Sequence, residues 1–455
     1  MKRKRILVAI NSGVFYRNFV MSKALEDLTK SHEVHLALEH SVKVKESDFA
    51  YPVQMHTLKM NKTRLALRVM DFYLTMWAYR KRSTTFPIKF NVDISSKRKI
   101  LYKFLALPGI RHGFIFLSEC FFGREKQIDS LLKAIKPDLI IIPSQGTDGQ
   151  AVDYIKSARH FKIPTLMIIN GWDNLTSKGI ILYKSDFLGV WSTLHKKHAQ
   201  EVHRISEEKL VLLGAPHFEK YFHKEVFDQK AFKASLGVPL DKKLILFGGC
   251  SRPVDEVYLL GLLEDAIEKG TFKDFHVIYR PHPWRNPPKN EEYLYDKNFR
   301  HVTLDPQLKD AYCTFKLTGI RSLPQNTLPD LDYYPKLFAV TDVMVAALST
   351  ILIEAALNGK PSLALAFSVG ECTLKMEDAY ECEHFRYLDH CKGILVCHKL
   401  ENFMSQCKEV IEMSYKPDIA SLLDEEMKDI VYRDTKTYAQ RLKDSVDQCL
   451  AGGID

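Results

Sequence analysis

The sequence predicts an α/β protein made of two doubly wound, parallel-sheet units in succession. Three observations lead there. Short apolar runs alternate with stretches of helical periodicity along most of the chain, the pattern of repeated βαβ units. That pattern lapses near Phe218, in the polar and helical "HFEKYFHKEVFDQKAFKASLGVPLDKK", and then begins again. And 455 residues are more than one ordinary core accommodates. The domains are therefore placed at 1–230 and 231–455, with the last helices expected to pack back on the first. Sheets of this kind bind ligands beyond the carboxyl ends of their strands, so the expected site is a cleft between the two domains.

The elements follow in order. "RILVAI" (5–10) is a continuous apolar run of strand length, and "NSGVFYRNFVMSKALEDLTK" reads as a glycine-containing loop entering a helix. "HEVHLAL" is the next strand. "KPDLIIIPS" (136–144) is a buried strand announced by Lys-Pro-Asp. The helix "GQAVDYIKSARHFK" and the strand "PTLMIIN" (164–170) then complete a βαβ unit. "FLGVWS" and "KLVLLGAP" close this half as two short strands. In the second half "KLILFGGCS" (243–251) opens the series, followed by the helix "DEVYLLGLLEDAIEK" and the strand "FHVIYR". Residues 286–330 are rich in Pro, Asn and Asp and read as a long functional loop around the short strand "FRHVTL". "DVMVAAL", a helix and "PSLALAF" resume the alternation.

The net charge of +9 is unevenly spread. Residues 1–200 hold 33 Lys and Arg against 16 Asp and Glu, while the other 255 hold 32 against 40. The first half is therefore expected to meet something anionic: nucleic acid, phospholipid or a phosphorylated acceptor. No nucleic-acid-binding motif accompanies the charge, so nucleic acid is not expected. "RLALRVMDFYLTMWAYRKR" (64–82) has two readings. It is either a core helix with a charged end, or a membrane-surface helix presenting Arg64, Arg68, Arg80, Lys81 and Arg82 to anionic lipid. No run approaches the roughly 18 unbroken apolar residues of a spanning helix. The apolar part of "MKRKRILVAI" is too short for a signal peptide. Nine cysteines without a CxxC pair suit a reducing compartment, and Cys372, Cys382, Cys391 and Cys397 lack zinc-ligand spacings. The expected location is the cytoplasm, with contact to the inner face of the cytoplasmic membrane.

Candidate site residues come from strand ends. In "VIYRPHPW" (277–284) Pro281 and Pro283 stop a buried strand, leaving Arg280 and His282 on a stiff turn at its carboxyl end. In "TDVMVAALSTILIEAALNGKPSLALAF" (341–367) Ser349 and Thr350 begin a helix. They would cap it, and the same helix end offers free N–H groups and about half a positive charge to a phosphate. Glu354 falls one turn deeper, where it could accept from a pair of sugar hydroxyls. In "GGCSRP" (248–253) the glycines, Gly249 among them, allow backbone approach to a ligand, and Arg252 could pair with a phosphate. On the acceptor side stand Asn11, Ser12 and Gly13, in the loop after the first strand. No GxGxxG is present, so a dinucleotide site has no support.

The combination of strand-"RPHP" with strand-loop-"ST", helix, Glu354 and "GKP" resembles the carboxyl-terminal donor domain of GT-B fold glycosyltransferases, which pair two Rossmann-like domains across a cleft. It looks most like bacterial enzymes that build surface polysaccharides, capsule and lipopolysaccharide. Sialyl-, polysialyl- and Kdo transferases of that fold have a His-Pro motif and a later Ser/Thr motif, both contacting the nucleotide monophosphate. The resemblance implies that His282 contacts the leaving phosphate and that Ser349 and Thr350 bind it. The glycerophosphotransferases of teichoic acid synthesis have a comparable arrangement, so a CMP-linked sugar and a CDP-linked polyol both remain open as donors. "NGWDNLTSKG" (170–179), "VW" (190–191) and "LLGAPHF" (212–218) are also similar to blocks in bacterial proteins described as surface-carbohydrate glycosyltransferases. The similarity runs from about 140 to 450; residues 45–135 lie outside it.

Such an enzyme expels a phosphate, and Arg280, His282 and a helix amino terminus would stabilise the developing charge, so no metal and no other cofactor is expected. An inverting enzyme takes its base from the amino-terminal domain. Asp148 in "PSQGTDGQ" and Asp173 in "GWDN" are the candidates, the first otherwise an N-cap and the second otherwise an Asx-turn. The expected activity is transfer of a sugar from a nucleotide donor to a growing surface glycan or lipid-linked acceptor. The alternatives are a CDP-glycerol- or ribitol-type phosphotransferase and a non-catalytic nucleotide-sugar-binding subunit. A sugar-nucleotide 2-epimerase is disfavoured, because the loop after the first strand lacks that family's Gly-Thr-Arg-Pro.

Overall fold

A computed structural model describes residues 3–44, 51–59, 61–223, 225–250, 255–282, 294, 297–318, 330–370 and 374–452. The chain divides into two units: Met1–Glu219 with Lys428–Asp455, and Lys220–Met427. The boundary thus falls at Glu219 rather than at 230.

The first unit holds a seven-stranded sheet. Its strands are β1 (Arg5–Ile10), β2 (Glu33–Glu39), β3 (Gln54–Leu58), β4 (Leu139–Ser144), β5 (Thr165–Ile169), β6 (Phe187–Val190) and β7 (Leu210–Leu212). The order is β3-β2-β1-β4-β5-β6-β7, every neighbouring pair parallel. Strands covered on both faces have no solvent side, which is why β1, β4 and β5 read as unbroken apolar runs. Ile6, Val8 and Ile10 enter one core with Phe19 and Leu28, and Leu7 and Ala9 enter another with Ile128 and Tyr154. The last helix, Tyr438–Ala451, supplies Tyr438, Leu442, Val446 and Cys449 to the first of these. Its Arg441 donates to the Leu213 carbonyl at 3.0 Å. Gly214, at φ +79°, is required there, because a Cβ would sit 2.3 Å from the Tyr432 carbonyl oxygen.

Between β3 and β4, within the stretch outside the resemblance, lie the helices Lys62–Ala78, Thr85–Asp93, Ser96–Leu105, Pro108–Phe122 and Lys126–Ile135. The two arginines offered to lipid from the first of these are instead buried. Arg64 pairs with Asp153 at 3.1 Å and Glu125 at 3.3 Å, and Arg68 pairs with Glu119 at 2.6 Å and Asp153 at 3.4 Å. Arg80 lies over the Trp77 ring and Arg82 over Tyr79. Burial pushes the Asp153 carboxyl up, against the pull of Arg64 and Arg68. Buried charges that break no register are costly, so the network fixes how these helices sit on Gly149–Phe161.

The second unit holds β8 (Lys243–Gly248), β9 (Phe275–Arg280), β10 (Val302–Leu304), β11 (Val343–Ala347), β12 (Ser362–Leu365) and β13 (Ile394–Cys397). They form a parallel sheet in the order β10-β9-β8-β11-β12-β13. Part of the expected long loop at 286–330 is a helix, Pro306–Thr318. In each sheet the strand order reverses once, between β1 and β4 and between β8 and β11. Loops diverge at such a point and leave a crevice, the usual ligand position.

Candidate functional site

At the switch point of the second sheet, register places Gly248 beside both Ala346 and Arg280. The residues that follow, Gly249, His282 and Leu348–Thr350, therefore share one edge. The Gly249 amide donates to the Arg280 carbonyl at 2.8 Å. A Cβ on Gly249 would lie 2.9 Å from the His282 nitrogen and 2.7 Å from Glu256 Oε2, so only glycine lets the two loops meet. Glu256 is 1% exposed and braces this edge from below, accepting from the Cys250 amide at 2.9 Å and from the Tyr279 hydroxyl at 2.6 Å. His282 itself is half-buried.

Arg280 is not presented to a ligand as the sequence suggested. It is 6% exposed, donates to the Tyr334 hydroxyl and lies 4.7 Å from the centre of that ring. Asp305 is 3.9 Å away and accepts from the Tyr333 hydroxyl at 2.6 Å. Burial opposes the guanidinium charge, yet Tyr334, Asp305 and Glu354 together hold its pKa above the ordinary value. The strand is buried along its whole length, so its last residue Arg280 is buried, while His282, beyond the strand end, is half-buried. Glu354, half-buried on the helix Ile351–Leu357, accepts from the Tyr221 hydroxyl.

Ser349 and Thr350 do not cap that helix by their side chains. Thr350 occupies the N-cap position in αR geometry with no side-chain capping bond, and the buried Ser349 Oγ has no hydrogen-bond partner among the described residues. A buried hydroxyl left unpaired costs about 1–3 kcal/mol, a cost a bound acceptor atom would remove. Arg252 lies outside the described residues, as do Pro283 and Trp284.

At the switch point of the first sheet the polar groups are tied to one another. Asp148 takes Asn11 Nδ2 at 2.9 Å and the Ala151 amide at 3.0 Å on one oxygen, and Ser144 Oγ and the Gln145 amide (3.1 Å) on the other. Burial raises its pKa and these bonds pull the other way. A carboxylate has about four lone-pair sites, and all four are used here. Asp148 is an N-cap and a strap across β1 and β4, with all its oxygens engaged, which removes it as one of the two candidate bases. Ser12 caps the short helix Gly13–Tyr16 through the Phe15 amide. Asn18 Nδ2 donates to Asn170 Oδ1 at 3.0 Å.

Asp173 follows β5, half-buried, accepting from Asn174 Nδ2 at 2.9 Å and Ser177 Oγ at 2.6 Å. Two histidines that sequence reasoning missed hold its loop. His195 donates to the Trp172 carbonyl at 2.6 Å, and His203 bridges the Leu175 carbonyl (2.7 Å) and the Ile181 amide (3.1 Å). Burial lowers both to about 4, so the rings are neutral and can donate at one nitrogen and accept at the other. Trp191 Nε1 donates to the Ile169 carbonyl at 2.9 Å. The "GWDNLTSKG" and "VW" blocks are thus joined in the structure, His195 and Trp191 bonding to the Trp172 and Ile169 carbonyls. Lys89 was also missed: burial, with Lys178 nearby, lowers it to about 8, and Asp173 acts against that.

The chain contains an Asp-X-Asp triplet, Asp330-Leu331-Asp332, and Asp332 pairs with Lys220 at 2.7 Å. The described cysteines 382, 391, 397 and 407 are buried thiols, and burial pushes Cys391 up to about 12. Glu264, Glu268 and His301 lie close enough to share an ion, but Glu264 is engaged by the Arg300 and His301 amides.

No curated protein matches the chain in sequence. Solved structures match its fold. The UDP-GlcNAc 2-epimerase from Neisseria meningitidis bound to UDP-GlcNAc aligns at TM-score 0.55 and 12% identity, covering 98% of this chain and 100% of that one. The S. aureus MnaA–UDP structure aligns at 0.54 and 12%, covering 98% and 97%. The glycotransferase of kitacinnamycin aligns at 0.52 and 11%, covering 98% and 99%. The chain has the GT-B fold of two Rossmann-like domains. Residues 174–317, which include the helix Asn174–Ser177 and His282 but not Asp173, match the family described as CDP-Glycerol:Poly(glycerophosphate) glycerophosphotransferase.

Proposed function

We propose that the protein is a nucleotide-donor transferase of surface-polymer synthesis, with the donor phosphates seated at the β8–β9–β11 edge. The observation that carries this reading is the meeting of Gly249, His282 and the unpaired Ser349 hydroxyl at a switch point. His282 would stabilise charge on the leaving phosphate, and the hydroxyls of Ser349 and Thr350 would hold its oxygens. Glu354 would orient the donor's hydroxyls, and Arg280 would position Tyr334 and Glu354 from below. Asp173 is the carboxylate we assign to receive the acceptor's proton. The leaving group is a phosphate held by fixed dipoles, and the reaction is read as metal-independent; EDTA should leave turnover unchanged, and loss of activity restored by magnesium would place Asp330 or Asp332 in the site.

The group transferred is a sugar or a phosphopolyol. The sugar reading, with lipopolysaccharide or capsule as product, rests on the RPHP and ST motifs; the family matched over 174–317 favours the second. The epimerase neighbours share the fold, but here the first loop is Asn11-Ser12-Gly13. Calorimetric titration with CMP, CDP, UDP and GDP, followed by phosphorus analysis of any polymer formed, separates the readings. Selective binding that His282→Ala weakens supports the site. Binding without turnover, with lipid acceptor supplied, would make the chain a non-catalytic subunit.

A further inference from the structure

The helices Ser96–Leu105 and Pro108–Phe122 are built the wrong way round for a water-facing surface. The inner side of the second is fixed: Arg111 is 4% exposed over the Tyr79 ring, and Glu119 holds Arg68, Lys156 and the Tyr183 hydroxyl. Its opposite side, where an amphipathic helix carries polar groups, presents Phe116, Leu117 and Phe121 at 66%, 68% and 83% exposure. The first helix has no buried residue at all, and exposes Ile100, Leu101 and Phe104 at helical spacing. Its first turn carries Lys97, Arg98 and Lys99 and no acid, although a helix amino terminus favours negative charge. From Ile94 to Ser118 there are five Lys and Arg and no Asp or Glu.

We propose that this helix pair is a docking surface for an anionic lipid bilayer, lying in the headgroup region. A large apolar face and a basic cluster on one element supply the two signals that stable interfacial binding needs. The basic turn that opposes its own helix end is matched by lipid phosphates, and a neutral or basic partner would not use it. Neither helix is long enough to span by itself. The helices meet at 90°, and 10 and 15 residues reach about 15 and 22 Å, short of a hydrocarbon core of about 30 Å. Both helices lean on Lys62–Ala78, and the buried arginine network beneath makes the platform rigid. The surface is distinct from the nucleotide site, and its test needs no nucleotide.

The full chain should sediment with vesicles of phosphatidylcholine containing about one quarter phosphatidylglycerol at least roughly tenfold better than with phosphatidylcholine alone. The triple variant Phe116→Ser, Leu117→Ser, Phe121→Ser and the separate variant Lys97→Glu, Arg98→Glu, Lys99→Glu should each reduce that partition by about tenfold or more, with unchanged melting temperature. Alkaline carbonate should release the bound chain. Equal sedimentation with both vesicle types, or variants that bind as the parent does, would overturn the proposal. So would resistance to carbonate, which means insertion. A parent dimer made monomeric by the triple variant, with no vesicle binding, would make the patch a protein interface.

Discussion

The two switch points use polar residues in opposite ways. In the first unit Asp148 accepts four hydrogen bonds, Asn18 and Asn170 bond each other, and neutral histidines lock the GWDN loop. In the second, a glycine is held against the His282 turn, and the buried Ser349 hydroxyl has no hydrogen-bond partner among the described residues. The units also differ in charge: 40 Lys and Arg against 25 Asp and Glu in the first, 25 against 31 in the second. At its switch point the basic unit has Asp148, Asn18 and Asn170 committed to shape, and at the acidic unit's the Ser349 hydroxyl has no partner among the described residues. Stability and binding should therefore separate by unit when residues are changed.

The largest effect is expected at His282. His282→Ala should cut transfer by about 10²–10³-fold while the melting temperature stays put; turnover close to the parent's would remove the leaving-group role. Acid should next distinguish the units. His195, His203 and His217 of the first unit titrate near 4, 4 and 3 when folded, lowered by burial, against 6.5 when exposed. As pH falls the unfolded chain takes up these protons first. The stability the rings contribute is whole above pH 6.5 and is lost toward pH 4, on the order of 1–2 kcal/mol per ring by pH 5. The second unit has His276, also near 4, as its lowered ring among the described residues. Unfolding followed at pH 7 and pH 5 should show the greater loss in the first unit, and equal losses would break the contrast.

Asp148→Ala should cost about 2–3 kcal/mol in urea unfolding, since it removes an N-cap and strands three other donors. It should spare nucleotide affinity. Ser349→Ala should do the reverse, raising stability by up to about 1–3 kcal/mol, because it removes the unpaired hydroxyl, and weakening nucleotide binding about threefold to tenfold. A stability loss at Ser349 matching that at Asp148 would mean the hydroxyl is structural after all.

What the sequence disclosed follows from locality. Doubly buried strands announce themselves as apolar runs, and prolines 281 and 283 mark where one stops. The sheet orders then place Asn11, Asp148, Gly249, His282 and Ser349 at strand ends without further information. Arg280 was misread because its partners Asp305 and Tyr334 lie 25 and 54 residues away. For Arg64 and Arg68 the sequence left the core-helix and membrane-surface readings both open for the same reason: Glu119 and Asp153, which neutralise them, lie on distant helices. His195 and His203 gave no signal at all, since a histidine on a helix looks alike whether it caps a distant carbonyl or meets water. Asp148 could have been weighed better, because its capping spacing to Ala151 was legible, though its bonds to Asn11 and Ser144 were not.

The return of the last helix to the first unit has a bearing on how the chain is made. Tyr438, Leu442, Val446 and Cys449 belong to the core that also contains Ile6 and Val8. The second unit is thus an insertion in the first, and its residues emerge from the ribosome complete while the first still lacks a wall. Domains fold as units during synthesis. The second unit can therefore reach its native state before the first, and vectorial order is reversed by connectivity.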